Sequence, residues 1–365
     1  MIEKIWWQAV TKRKKSPFDM LLFLFLFLLS LFYGAGLAVR NVIYRMRQDK
    51  KIQFGARVIS IGNITMGGTG KTPFTEELAK RIMREGKKVL VAAKGYKRKP
   101  VNPVDIVHDG EAMLMKQINA GDEPFMMARN LKTARVVVGS DKLKALAAGI
   151  NMFKPDIALL DDGFQKRYMI KNVMNVVLID ALNPFGFGRL TPAGLLREPV
   201  SSLKDADAVV ITNTNLVENQ EKTEMIRAEI EKKGRNSRIF EAELQPRFFY
   251  NVFTGDRTDI GQMRGKKAVV FSAIGNPVGF ERALKMIGVH VVVGLRFRDH
   301  HKVTAREAAA MCKLMEKTSA TVIITTEKDE VKITRKFFQG SNKVYALKTG
   351  MLIKNVKELE KRLRL

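Results

Sequence analysis

The residues with the clearest chemical meaning lie in the segment GNITMGGTGKTP at positions 62–73. Its glycines allow backbone N–H groups to approach phosphate oxygens, and the lysine adds a positive charge for the β- and γ-phosphates. The segment therefore predicts a P-loop that binds ATP, although threonine stands where the full consensus has its first glycine. The residues expected to bind the nucleotide are Thr65, Gly67, Gly68, Thr69, Gly70, Lys71 and Thr72.

Two adjacent carboxylates, Asp161 and Asp162, end the apolar run IALLDD. A carboxylate at the end of a strand next to a P-loop holds Mg²⁺ in P-loop proteins, together with the hydroxyl of the loop, here Thr72. An aspartate pair at a strand end also occurs as a turn or a helix cap. The P-loop favours the metal-binding role over a turn or a helix cap, and we expect one of the two carboxylates to contact Mg²⁺.

Two further segments carry groups suited to proton transfer. GDEP at 121–124 contains Asp122, and DHH at 299–301 contains His300. Phosphoryl transfer to a hydroxyl group requires a base, and an aspartate tuned by a histidine can take that role. Spacing alone does not pair the two segments, and each is also compatible with an ordinary surface loop.

The elements that position these groups alternate along the chain between short apolar runs and amphipathic stretches. Such alternation is typical of a parallel sheet covered by helices on both faces. We predict an α/β protein with a P-loop NTPase-like sheet, a second, smaller α/β lobe and an N-terminal hydrophobic helix. The predicted strands occupy 58–62, 89–94, 135–139, 157–162, 175–180, 208–212, 267–273, 289–295, 321–326 and 343–348.

A less regular stretch interrupts this alternation after residue 242. We therefore predict four segments along the chain. They are a membrane anchor with a basic flank at 1–39, a P-loop kinase core at 40–242, a linker at 243–262 and a C-terminal α/β lobe at 263–365.

Residues 20–39 are almost uniformly apolar. About 20 helical residues span roughly 30 Å, the thickness of a bilayer core. A cleaved signal peptide is the alternative, because basic residues at 12–15 precede the run, but the need for cytosolic ATP argues against it. Lysines and arginines flank both ends, so the orientation of the N-terminus stays open, as does the choice between a span and an interfacial helix.

Composition restricts the partners. A formal charge of +27 on 365 residues favours an anionic partner such as nucleic acid, lipid head groups or a phosphorylated substrate. No helix-turn-helix, zinc or RNP motif accompanies that charge, so we expect a membrane lipid surface and no nucleic acid. The single cysteine excludes an internal disulfide and a cysteine-rich metal site. The oligomeric state is left open.

Seven segments together resemble the tetraacyldisaccharide 4′-kinases, the lipid A kinases of Gram-negative bacteria, in which the displaced first glycine of the P-loop is a family trait. The resemblance implies transfer of the γ-phosphate of ATP, with Mg²⁺, to the 4′-hydroxyl of a tetraacylated disaccharide 1-phosphate. It also implies a location at the inner membrane with the catalytic domains on the cytoplasmic face. The matching segments are GNITMGGTGKTP, GDEP, DDGFQ, GFGRLTPAGLLREP, AIGNPVGF, FRDHH and TTEKDEVK.

The same resemblance implies roles for individual side chains. Asp122 would be the general base, paired with His300, and Lys71 would contact phosphate. Arg197 would offset charge on the transferred phosphoryl group. The residues implied to organise Mg²⁺ are Thr72, Asp161, Asp162 and Glu198.

Three lysines depart from the family pattern: Lys94 and Lys142 replace arginines, and Lys166 replaces a histidine. Lysine keeps the charge of arginine but cannot supply its planar fork. The alternative function is a membrane-anchored P-loop ATPase that assists assembly or transport. That function gives no reason for the GDEP and DHH segments.

Overall fold

The computed structural model describes residues 6–7, 9–10, 16–47, 51–234, 237–338 and 342–365. The helices are α1 (Pro17–Met46), α2 (Lys71–Arg84), α3 (Gln117–Ala120), α4 (Asp122–Leu131), α5 (Lys142–Phe153), α6 (Gln220–Gly234), α7 (Ile260–Met263), α8 (Pro277–Met286), α9 (Ala305–Lys317), α10 (Glu327–Glu330) and α11 (Val356–Leu363). The strands are β1 (Arg57–Asn63), β2 (Val89–Ala93), β3 (Val104–Asp109), β4 (Arg135–Gly139), β5 (Ile157–Asp161), β6 (Met174–Asp180), β7 (Ala208–Thr212), β8 (Arg238–Asn251), β9 (Arg257–Thr258), β10 (Lys267–Ser272), β11 (His290–Arg296), β12 (Val322–Thr326) and β13 (Val344–Ile353).

The strands of the described residues form one sheet in the order β11-β10-β12-β13-β8-β7-β6-β1-β5-β2-β4-β3, with β9 added beside β8. In the half that contains β1, neighbouring strands are parallel except for the edge pair β3 and β4. Strands β10 to β13 are parallel to one another. The prediction of a mostly parallel α/β sheet is confirmed.

Strand β8 joins the two halves of the sheet. Its first residues pair in parallel with β7, and residues Ala242 to Asn251 pair in antiparallel fashion with β13. Because β8 continues past Thr212, where β7 ends, the second half lies beyond the carboxyl edge of the first half. Strands β10 to β12 run opposite to β8, so their carboxyl ends point back toward that edge. The loops that follow both sets of strands therefore face one cleft.

The stretch expected to be a linker is in part a strand. Residues 243–251 form the second part of β8, and Pro246 lies at an irregularity in its pairing with β13. The proline backbone cannot donate a hydrogen bond, and prolines in strands occur at such irregularities. The proline therefore hides this strand from prediction by sequence pattern. Leu359 and Leu363 of α11 belong to the same buried cluster as Leu78 of α2. The division into a core and a second lobe stays a prediction.

Helix α1 contains the predicted apolar run and extends beyond it at both ends. Ser16 and Asp19 form a capping box at its start. It is the one helix among the described residues that is long and apolar enough to cross a membrane, and most of its large apolar side chains are exposed.

Candidate active site

The P-loop connects β1 to α2, as the sequence predicts. Gly67 and Gly70 have φ angles of +105° and +78°, in a region that favours glycine. Lys71 is the first residue of α2, and its N-cap, Gly70, makes no side-chain cap. The N–H groups at the start of this helix are therefore available to an anion.

A cavity of about 400 Å³ lies between the two halves of the sheet, with the P-loop on one side. The loop after β10 closes onto the P-loop so tightly that a Cβ on Gly275 would overlap the backbone nitrogen of Gly68. This approach explains the glycine of the segment AIGNPVGF. The lining residues from the second half include Gly275, Asn276, Phe280, Asp299, Glu327 and Lys328.

Asp162 is surrounded by cations. Lys142 Nζ and Arg197 Nη1 each lie 2.9 Å from its carboxylate oxygens, and Lys71 Nζ lies 3.8 Å away. Burial alone would raise the pKa of Asp162, but these three charges hold the pKa well below its usual range. Asp162 therefore orients the cations that face the P-loop. Lys142 takes part through its single ammonium group.

Asp161 has the opposite environment. Its side chain is buried, and its Oδ1 atom has no hydrogen-bond partner. Burial, followed by the nearby Glu123 carboxylate, raises the pKa of Asp161 above its ordinary value. A buried, unpartnered carboxylate oxygen suits a cation, and both Asp161 and Thr72 line the cavity.

These residues fit Mg²⁺ of the P-loop type. Among the described residues, no cluster of three or more histidine, cysteine or carboxylate side chains could hold a metal ion by itself. Mg²⁺ bound with a nucleotide needs only one or two protein ligands, because phosphate oxygens and waters complete its shell. Asp161 and Thr72 supply that number.

Glu198 is not at this position. It is fully buried, with Oε1 2.5 Å from Arg40 Nη2 of α1 and Oε2 3.2 Å from Arg167 Nη2. It is not among the residues that line the cavity. A carboxylate held by two guanidinium groups fits a structural contact with α1 rather than the expected role at Mg²⁺.

The structure brings together the two segments that spacing could not pair. His300 Nδ1 lies 3.1 Å from Asp122 Oδ2, although 178 positions separate them, and Gln117 donates to the other carboxylate oxygen. Burial alone would raise the pKa of Asp122, but the hydrogen bond with His300 contributes to holding the pKa below its ordinary value. The ring of Tyr96 packs against His300, with centroids 4.6 Å apart.

Backbone geometry constrains the positions of both Asp122 and His300, which come from different halves of the sheet. Asp122 begins α4 directly after Gly121, where a Cβ would contact Gly95 at 2.9 Å. His300 has a φ of +65°, which is uncommon for a residue with a side chain, and its N–H donates to the carbonyl of Ala273. Such conformations cluster at functional sites.

Of the remaining residues singled out from the sequence, some line the cleft and others do not. Thr65 pairs with Leu196 in an isolated bridge and borders a second cavity behind the P-loop. Lys94 lines the cleft, whereas Lys166 does not. Lys328 also lines the cleft and is not among the residues predicted for the site, although it lies in the segment TTEKDEVK that carries the family resemblance.

A P-loop and a buried carboxylate line one cleft, and the chain neighbours of a carboxylate–histidine pair line the same cleft. These features define a phosphotransferase of the P-loop class with an apolar N-terminal helix. The chain belongs to the tetraacyldisaccharide-1-P 4′-kinase family, whose model matches residues 22–364. The family predicted from the seven segments is thus confirmed, and the alternative of an accessory ATPase is not favoured.

Individual relatives agree over almost the whole chain. The tetraacyldisaccharide 4′-kinase of Syntrophus aciditrophicus is 34% identical over 337 residues, 90% of this chain and 88% of the relative. That of Elusimicrobium minutum is 36% identical over 339 residues, 92% and 89% of the two chains. Among solved structures, LpxK from Aquifex aeolicus in complex with ATP is similar with a TM-score of 0.68 and 26% identity, covering 92% of this chain and 96% of that chain.

Proposed function

We propose that this chain is a lipid kinase that transfers the γ-phosphate of ATP to the 4′-hydroxyl of a tetraacyldisaccharide 1-phosphate in lipid A biosynthesis. The observation that carries the proposal is the Asp122–His300 pair, whose chain neighbours Glu123 and Asp299 line the same cleft as the P-loop. Family membership supports the acceptor, and the geometry of the cleft supports the reaction class.

The P-loop N–H groups and Lys71 bind the phosphates of ATP. Lys142 and Arg197, held by Asp162, add positive charge beside the transferred group. Fixed cations aimed at the phosphoryl oxygens stabilise the transition state without reorganising during the reaction. Thr72 and Asp161 would hold Mg²⁺, which would neutralise part of the charge on the phosphates of the nucleotide.

Asp122 accepts the proton of the 4′-hydroxyl. As that oxygen forms its bond to the γ-phosphorus, the bond between the γ-phosphorus and the bridging oxygen breaks, and ADP leaves. With its Nδ1 protonated, His300 donates to Asp122 and keeps the carboxylate ionised and oriented. The low pKa of Asp122 fits a base that is ready at neutral pH.

In this proposal, helix α1 attaches the protein to the lipid surface. Its exposed apolar side chains suit the inner membrane, and the excess of positive charge on the chain suits an anionic leaflet. The cleft lies on the cytoplasmic side in this proposal, because ATP is available there.

The test follows labelled γ-phosphate from ATP to a detergent-dispersed tetraacyldisaccharide 1-phosphate, with a DNA oligomer offered to the protein as a binding control. We expect the purified full-length chain to label the lipid and Lys71→Ala to lose roughly 10²-fold or more of this transfer. Lys144→Ala, at an exposed position of α5, is the matched control and should be unaffected. Near-normal transfer by Lys71→Ala, or release of inorganic phosphate without labelled lipid, would contradict the proposal.

A further inference from the structure

Helix α10 carries a lysine buried between carboxylates of both halves of the sheet. Lys328 Nζ lies 2.6 Å from Glu123 Oε1 and 3.1 Å from Asp299 Oδ1, and only 15% of its side chain is exposed. Burial alone would lower the pKa of Lys328, but the two carboxylates raise it above its ordinary value. The ammonium group is therefore a permanent charge in an ion triad.

Each carboxylate of this triad is the chain neighbour of one member of the proposed catalytic pair. Glu123 follows Asp122 on α4, and Asp299 precedes His300 after β11. Asp122 and His300 come from different halves, and their contact is a single hydrogen bond. Lys328 joins the same two segments through Glu123 and Asp299, each of which is one residue away from the hydrogen-bonded pair.

The position of Lys328 is itself fixed. Thr326 caps α10 through the N–H of Asp329, and Lys332 Nζ lies 2.6 Å from Asp329 Oδ1. Asp329 Oδ2 accepts a hydrogen bond from the N–H of Ala273, whose carbonyl accepts from the N–H of His300. The short helix and the histidine are therefore anchored to the same loop after β10.

We propose that Lys328 is a positioning residue for phosphoryl transfer, which holds Glu123 and Asp299 together so that Asp122 and His300 stay in contact. This inference rests on the proposed function. It assigns a role to the TTEKDEVK segment that the nucleotide site and the base leave unexplained. Lys328 touches the neighbours of the catalytic pair and acts through them.

Electrostatics makes the role measurable. Asp122 is faced by His300 and Gln117, and by the charge of Lys332 from the second half. Without the Lys328 ammonium, the Glu123 and Asp299 carboxylates lose their countercharge beside this pair. Like charges disfavour ionisation, so the pKa of Asp122 should rise, and the acid limb of the kcat profile should move to higher pH.

The experiment compares Lys328→Met and Lys328→Arg in the full chain, with Lys336→Met at an exposed position as the matched control. For Lys328→Met we expect kcat to fall roughly 10- to 10²-fold, part of what a general base contributes, with the KM for ATP within about twofold. The acid limb should shift upward, and Lys328→Arg should recover most of kcat.

Three results would overturn the inference. A raised KM for ATP at unchanged kcat would make Lys328 a nucleotide ligand. If activity fell in proportion to thermal stability and the pH profile of kcat did not move, the role of Lys328 would be purely structural. Unchanged kinetics in Lys328→Met would show that Lys328 has no role in phosphoryl transfer.

A second variant and the parent protein complete the design. If Lys328→Met does not fold, Asp299→Asn removes one arm of the triad at a partly exposed position and should lower kcat without raising the KM for ATP. Unchanged kcat in Asp299→Asn would also contradict the inference. Failure of the unsubstituted chain to label the lipid would refute the proposed function instead, so the two failures are distinguishable.

Discussion

Three aspartates in and beside the cleft have pKa values shifted in different directions, because their partners differ. Three cations surround Asp162, one carboxylate oxygen of Asp161 has no partner, and Asp122 contacts a histidine from the other half of the sheet. Residue type and spacing identify all three as candidates. Their separate roles follow from tertiary contacts that spacing does not encode.

The Asp122–His300 pair predicts non-additive mutants. Asp122→Ala should lower kcat by roughly 10²–10⁴-fold, the usual contribution of a general base, and should weaken ATP binding much less. Two residues that act as one unit lose their function together, so Asp122→Ala with His300→Ala should be little worse than the poorer single mutant. Steady-state kinetics with separate nucleotide-binding measurements check this. Strictly multiplicative losses would show that the two residues act independently.

The sequence predicts best those site residues whose partners are local. The P-loop is continuous with β1 and α2, so its motif already implies its geometry. Glu198 is adjacent to Arg197, but only Arg197 faces the cleft, and Glu198 contacts Arg40 of α1 and Arg167. One contact of Glu198 and one contact of Lys328 join residues that are 158 and 205 positions apart, and no sequence motif predicts such contacts.

At the scale of elements, α1 is docked on the segment that carries Arg197. The Tyr33 hydroxyl of α1 donates to the carbonyl of Arg197 at 3.1 Å. Ahead of α1 in the chain, Trp6 Nε1 donates to the carbonyl of Pro192 in the same segment at 2.7 Å. The composition predicts an apolar helix at this point in the chain. Its attachment to the catalytic segment is a property of the folded protein.

Deletion of residues 1–39 should therefore have two effects. The truncated protein should move from the membrane fraction toward the soluble fraction, because the exposed apolar surface of α1 is lost. Turnover of detergent-dispersed acceptor should fall but persist, since the contact of Tyr33 with Arg197 is removed while the nucleotide site lies downstream of residue 57. Fractionation and a detergent assay measure both effects, with Tyr33→Phe as the variant that loses only the hydroxyl.

Complete sedimentation of the truncated protein with membranes would contradict this account of α1. The basic surface of the remaining chain would then be sufficient for attachment.

At the scale of the whole molecule, the buried strands were the most predictable elements. Parallel strands covered on both faces are continuous apolar runs, as in β2 and β7. The edge strand β3 mixes Asp105 and His108 with apolar residues and was not predicted. Strand order and the single sheet through β8 depend on pairings between distant segments, which local patterns do not contain.

We propose that the two halves of this sheet assemble one kinase site for a glycolipid hydroxyl. The most direct test is mass spectrometry with NMR of the disaccharide lipid after incubation with the full-length chain and Mg·ATP. The account predicts a single added phosphate, located on the 4′-oxygen. Unmodified lipid accompanied by ADP and inorganic phosphate, or phosphate on a different hydroxyl, would contradict it.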